Sequence, residues 1–151
     1  MGKKLVLYLA GPMDGVSKAD ATGWRDVVTN KVSGLYEVRN PMIRDFFKTG
    51  YVQHIHEPMI VQGDKGDIEA ADVVLANCWK HSFGTPMEVF YARSLRKHVV
   101  SIVPSNLRVN GFASPWVSYH SNRVVDSIGL AIQHLVSFAE SYYAGNKTTA
   151  G

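Results

Sequence analysis

Residues 4–10 read KLVLYLA, an apolar run without polar alternation that stops at Gly11-Pro12. A run of this length between breakers is the signature of a strand covered on both faces. It returns at 72–77 (DVVLAN) and 98–103 (HVVSIV), and in shorter form at 36–39 and 123–125. Between these runs the apolar spacing becomes helical. A first helix is expected over 18–32 with Ser17 as its N-cap, a short one over 64–71, a third over 85–96 and a last one over 126–143. The last places Ile128, Ile132, Leu135, Val136 and Ala139 on one stripe. Residues 41–62 give no readable long element because Pro41, Gly50 and Pro58 interrupt them, and 104–121 read as irregular. Strands alternating with helices predict an α/β fold in a single domain over 1–144: a doubly wound, flavodoxin- or Rossmann-like sheet of five parallel strands flanked by helices. Residues 145–151 read as a disordered tail. In such sheets ligands bind beyond the carboxyl ends of the strands, here at 11–15, 40–41, 77–84 and from 104 onward.

Composition narrows the function only slightly. The 151 residues are 46% hydrophobic and 19% charged, as expected of a soluble globular protein with a real core. Cys78 is the one cysteine, which excludes an internal disulfide and suits a reducing cytoplasm. No apolar run approaches the roughly 20 residues that span a bilayer, so no membrane partner is expected. The basic, then apolar start resembles a signal peptide, but it is too short and Gly11-Pro12 breaks it. A net charge of +3 fits an anionic small substrate without requiring one. No basic stripe with interleaved aromatics points to nucleic acid.

Within SFGTPMEVFYA, residues 82–92, Glu88 stands alone among Met87, Val89, Phe90 and Tyr91. One reading makes it the partner of Thr85 in a capping box, with Pro86 at the first helical position and Gly84 in the turn before it. Another makes it a carboxylate at the edge of the strand-end crevice, kept from water by its apolar neighbours, as a nucleophile or charge stabiliser would be. Asp64 alone reads as an N-cap or loop acid, Tyr8 as a buried strand residue needing a hydroxyl partner, and Ser82 as a polar loop residue.

Together these residues carry a resemblance. YLAGPM, the block from Asp64 to Ala76 (DKGDIEAADVVLA) and S-x-G-T-P-M-E-V-F-Y-A are similar, in that order, to stretches of the nucleoside 2-deoxyribosyltransferase superfamily, whose closest branch here is that of the (deoxy)nucleoside 5′-monophosphate N-glycosidases. The resemblance spans roughly residues 5–103. It implies that Glu88 is the nucleophile that attacks the anomeric carbon, Asp64 the proton donor or orienter beside sugar and base, and Tyr8 the hydroxyl that holds the nucleophile. It also implies that Gly11, Pro12 and Met13 line the base pocket, and that Ser82, with Gly84 and Thr85, binds the 5′-phosphate. The transferases tend to carry an aspartate where this chain has Ser82, and an aspartate would repel a phosphate that a hydroxyl and loop N–H groups can hold. In the hydrolases a serine from the neighbouring subunit also reaches the phosphate, which points to Ser114, or else Ser118, His120 or Ser121, and to a homodimer or higher assembly. Asn122 instead resembles an asparagine that the transferases lend across their interface.

The expected activity is hydrolysis of a (deoxy)nucleoside 5′-monophosphate to free base and sugar 5-phosphate, with no cofactor and no metal. Base transfer between free deoxynucleosides and a noncatalytic nucleotide-binding module are the alternatives. His54 and His56 read as a loop pair without a third ligand, Cys78 and Trp24 as packing residues, and GPMDG is no dinucleotide fingerprint.

Overall fold

A computed structural model describes residues 2–45 and 50–148 of the chain. Its strands are β1 (Leu5–Ala10), β2 (Tyr36–Arg39), β3 (Val73–Asn77), β4 (His98–Ile102) and β5 (Arg123–Val125). Its helices are α1 (Lys18–Val32), α2 (Gln53–Ala70), α3 (Gly84–Ser94), α4 (Pro115–Tyr119) and α5 (Ile128–Thr148). All strand pairs are parallel and the order across the sheet is β2-β1-β3-β4-β5. This is the flavodoxin-like winding, which opens a crevice where β1 and β3 part toward opposite sides of the sheet.

The apolar runs are continuous because both faces of the sheet are covered. Leu5, Leu7 and Leu9 of β1 face α1 and α5, packing with Trp24, Val28, Val32, Ala131, Leu135 and Ala139. Val6, Tyr8 and Ala10 face the other way, toward Ile68 of α2 and Val89 and Ala92 of α3. Tyr8 therefore points between the two helices that carry Asp64 and Glu88. Ser17 caps α1 by accepting from the Asp20 amide at 3.1 Å. Tyr143 of α5 clips the opposite end of the sheet, accepting from the Leu5 amide at 2.8 Å and donating to the Leu35 carbonyl at 2.6 Å.

Several expected boundaries move. Helix α2 begins at Gln53, not Asp64, and runs through Pro58. The ring gives up only one N–H bond, early in an 18-residue helix whose other bonds persist. Asp64 is therefore an interior residue of α2 rather than a cap, and His54 and His56 lie in its first turn rather than in a loop. The stretch 104–121 holds a 3-10 turn at Ser105–Leu107 and the short helix α4. Helix α5 continues past Tyr143 to Thr148, so the segment read as a tail begins in helix, while 149–151 lie outside the described residues.

Two glycines of α2 separate a structural requirement from a mere tolerance. A Cβ on Gly63 would meet Cδ and Nε of Arg44, each at 2.5 Å, because that side chain lies across it; one on Gly66 would meet nothing within 4 Å. Replacing an exposed helical Gly by Ala usually stabilises by about 1 kcal/mol. Gly66→Ala is expected to show that gain in denaturant titration. Gly63→Ala is expected to lose it or to be destabilised, since Arg44 must then leave its partners.

Candidate active site

The site forms where β1 and β3 end. From β1, the Tyr8 hydroxyl donates to Glu88 Oε1 at 2.6 Å. Glu88 is the fifth residue of α3, which starts at Gly84 with no side-chain cap bond. This corrects the capping-box reading. Thr85 already lies within the helix and is buried, Pro86 is its third residue, and the Glu88 carboxylate turns inward to Tyr8 instead of back to the helix start. The end of α3 is served by Ser82, whose Oγ donates to Thr85 Oγ1 at 2.9 Å and accepts from the Thr85 amide at 3.4 Å.

Asp64 approaches from α2. Arg44, in the 3-10 turn Pro41–Arg44 that follows β2, donates through Nη2 to Asp64 Oδ1 at 2.9 Å and to Asp67 Oδ2 at 2.6 Å. Asp64 and Asp67 are three residues apart on one helical face, so one guanidinium bridges both. Arg44 thus ties the turn after β2 to the carboxylate side of the site. It fell in the stretch that gave no readable element, and the Asp-x-x-Asp spacing was the one signal that a cation should sit opposite.

Burial dominates the electrostatics. It pushes the Glu88 carboxyl up to about 8; the Tyr8 hydrogen bond opposes this, the Asp64 charge adds to it, and Arg25 and Arg44 oppose it. Burial, then the Glu88 and Asp64 charges, hold the Tyr8 phenol well above its ordinary value, so Tyr8 is a permanent donor. Asp64 is also raised by burial, against the hydrogen bond and charge of Arg44. Asp64, which holds its proton more tightly than usual, is suited to act as an acid, and Glu88 can act as a nucleophile only in its ionised form.

Two hollows open among the loops that follow the strands, and neither is lined by Tyr8, Asp64 or Glu88. One, of about 380 Å³, is lined by Met13, Asp14, Gly15, Val16, Met42 and Asp45 among others. The second, of about 170 Å³, is lined by Cys78, Lys80, His81, Ser82, Thr85 and Ser114 among others. Lys80 Nζ donates to the Gly15 carbonyl at 2.9 Å and so bridges the two loops. Of the expected base-side residues, Met13 lines the first hollow, Pro12 is buried, and Gly11 lies against Trp24 and Arg25. Gly84 has open space around it at the start of α3. Ser114 lines the second hollow of its own subunit together with Ser82.

The other candidates of that region have different surroundings. Ser121 Oγ meets Ser101 Oγ at 2.7 Å and the Val117 carbonyl at 2.6 Å. Ser118 is exposed on α4. His120 sits among the rings of Phe90, Trp116 and Tyr119. Asn122 Oδ1 accepts from the Val99 amide at 2.9 Å, which occupies it within its own chain. Cys78 is largely buried and burial pushes its thiol up to about 12, as for a packing residue. Among the described residues no three His, Cys, Asp or Glu side chains are placed to hold a metal ion, and no helix is long and apolar enough to cross a membrane.

Comparison with known proteins agrees with this architecture. A conserved protein from Enterococcus faecalis V583 superposes with a TM-score of 0.68 at 16% identity, over 87% of this chain and 96% of that one. A 2-deoxyribosyltransferase from Bacillus psychrosaccharolyticus gives 0.62 at 14% identity, over 83% and 89%. The CMP N-glycosidase BcmB of Clostridium botulinum gives 0.55 at 15% identity, over 85% and 96%. The resemblance to the nucleoside 2-deoxyribosyltransferase superfamily, with its N-glycosidase branch, thus holds at the level of the fold. Among curated proteins no sequence matches. Residues 5–101 match the family described as a domain of unknown function, DUF4406, and the chain belongs to that family.

Proposed function

We propose that this chain hydrolyses the N-glycosidic bond of a (deoxy)nucleoside 5′-monophosphate, releasing the base and the sugar 5-phosphate. The observation that carries this reading is the inward turn of Glu88 to Tyr8, where a helix start would ordinarily hold it at the cap. Glu88 attacks the anomeric carbon as the C–N bond breaks; the electron pair leaves with the base, which takes a proton from Asp64. Water then cleaves the glycosyl ester, returning a proton to Asp64 and the free carboxylate to Glu88. The hollow at Met13, Asp14 and Met42 takes the base. The hollow at Ser82 and Ser114, with Lys80 and His81 in its wall, takes the phosphate.

Assembly belongs to the same reading. Phe83 (95% exposed), Met87, Phe90, Trp116 and Tyr119 (83% exposed) give α3, α4 and the loop before α3 an apolar surface beside the phosphate hollow. A homodimer buries it, and His120 packs within that surface. Sedimentation is expected to show a dimer or larger; a fully active monomer would remove this part of the reading.

Glu88→Gln is expected to abolish base release, by on the order of a thousandfold or more, while the fold persists. The same substitution has a stability signature. The Glu88 carboxyl holds its proton to about 8 in the folded chain, against 4.5 for the ordinary group. The unfolded chain therefore ionises first, and native stability falls as pH rises between those values. Glu88→Gln removes that loss, so its thermal midpoint should exceed that of wild type at pH 8 and approach it near pH 4. Ser82→Ala is expected to raise KM for the monophosphate about tenfold or more, since a hydrogen bond to a charged group is worth roughly 1.5–3 kcal/mol, and to leave nucleoside cleavage unchanged. Ser82→Asp should be worse. Equal kcat/KM on a nucleoside and its 5′-monophosphate would overturn the phosphate assignment, and transfer of the sugar to an added free base would establish the transferase reading.

A further inference from the structure

Arg25 of α1 heads the fully buried side chains by size, with none of its surface exposed. Among the described residues no carboxylate forms an ion pair with it. Its guanidinium donates to two carbonyls, Ala21 at 2.5 Å within its own helix and Gly11 at 2.9 Å at the end of β1, and its Nε has no partner. It also lies 4.5 Å from the centre of the Trp24 ring. Gly11 must lack a side chain for this arrangement, because a Cβ there would stand 2.7 Å from Trp24 Cζ2 and 3.3 Å from Arg25 Nη2.

A lone buried cation is unfavourable unless negative charge lies within reach. Gly11 is the residue just after β1, three beyond Tyr8, so Arg25 stands at the carboxyl end of the strand that supplies Tyr8. Resting on the reading of Glu88 as nucleophile, we propose that Arg25 is a positioning residue: it clamps the Gly11 carbonyl, which fixes the 11–13 loop, and lends its charge across the end of β1 to the anionic form of Glu88. Glu88 accepts from Tyr8 of β1, and the titratable and charged groups whose fields couple to it also include Asp64 of α2, Cys78 after β3, Arg44 of the turn after β2 and Arg25 of α1. The positive charges of Arg25 and Arg44 both favour the anionic form of Glu88.

The test separates charge from clamp, and does so without substrate. The pH dependence of unfolding, taken as the difference between a protein and its Glu88→Gln counterpart, reports the titration of Glu88. In Arg25→Met this titration is expected to move up by about one unit or more. Arg25→Lys should keep it near the wild-type position. In base-release assays the acid limb of kcat/KM should follow the same shift, a loss of about tenfold at pH 7 per unit. Arg25→Lys, which keeps the charge but not the fork, should chiefly raise KM. If Arg25→Met does not fold, Arg25→Gln carries the same comparison. An unmoved Glu88 titration in the neutral variant overturns the inference. Absence of base release by the wild type overturns the proposed function instead, and leaves the titration to decide the role of Arg25.

Discussion

The bond between Tyr8 and Glu88 joins the two elements on which the site depends. Placing a carboxylate under the face of a sheet is unfavourable unless a donor meets it, and Tyr8 is the donor that β1 can supply from its covered face. That position exists only because the strand is buried on both sides, with Leu7 and Leu9 directed to α1 and α5 and Tyr8 to α2 and α3. The register of β1 against β3, which pairs Tyr8 with Val74, then sets the height at which α3 must start for its fifth residue to arrive. A slip of one residue in β1 would send the phenol to the opposite face and leave Glu88 buried without a donor.

A second constraint acts around this one. Two arginines brace the strand ends from different elements: Arg25 holds the Gly11 carbonyl from α1, and Arg44 holds Asp64 and Asp67 from the turn after β2. Each is made possible by a glycine that leaves room for it, Gly11 for the first and Gly63 for the second. Arg44 also divides its charge between Asp64 and Asp67. This keeps Asp64 from being fully committed to an ion pair and leaves burial free to raise its affinity for a proton.

Much of the fold was legible because the pattern was strong. Apolar runs bounded by breakers placed all five strands to within a residue, β2 and β5 without error, because a parallel strand covered on both sides has no other way to be built. Helix α2 was legible only in its last two turns. Pro58, Gly63 and Gly66 argue against a helix locally, and the helix forms because its packing against α3 and the turn after β2 outweighs propensity. The order Tyr8, Asp64, Ser82, Glu88 was readable as a set, and in the structure the Tyr8 hydroxyl donates to Glu88. Arg25 and Arg44 were not readable. An arginine in a helix usually faces water, and nothing in its neighbours along the chain shows that it is turned inward.

The hydroxyl of Ser82 is already engaged, bonded to the hydroxyl of Thr85, which is itself buried. Any ligand that recruits it does so by exchange: one hydrogen bond is given up for another. A neutral hydroxyl offered by a ligand gains almost nothing in that exchange, since it replaces like with like. A doubly charged oxyanion gains the difference between a neutral and a charge-assisted bond. On the proposed reading the loop would therefore discriminate by the charge of its guest more than by its shape, with Lys80 in the same wall adding to the preference.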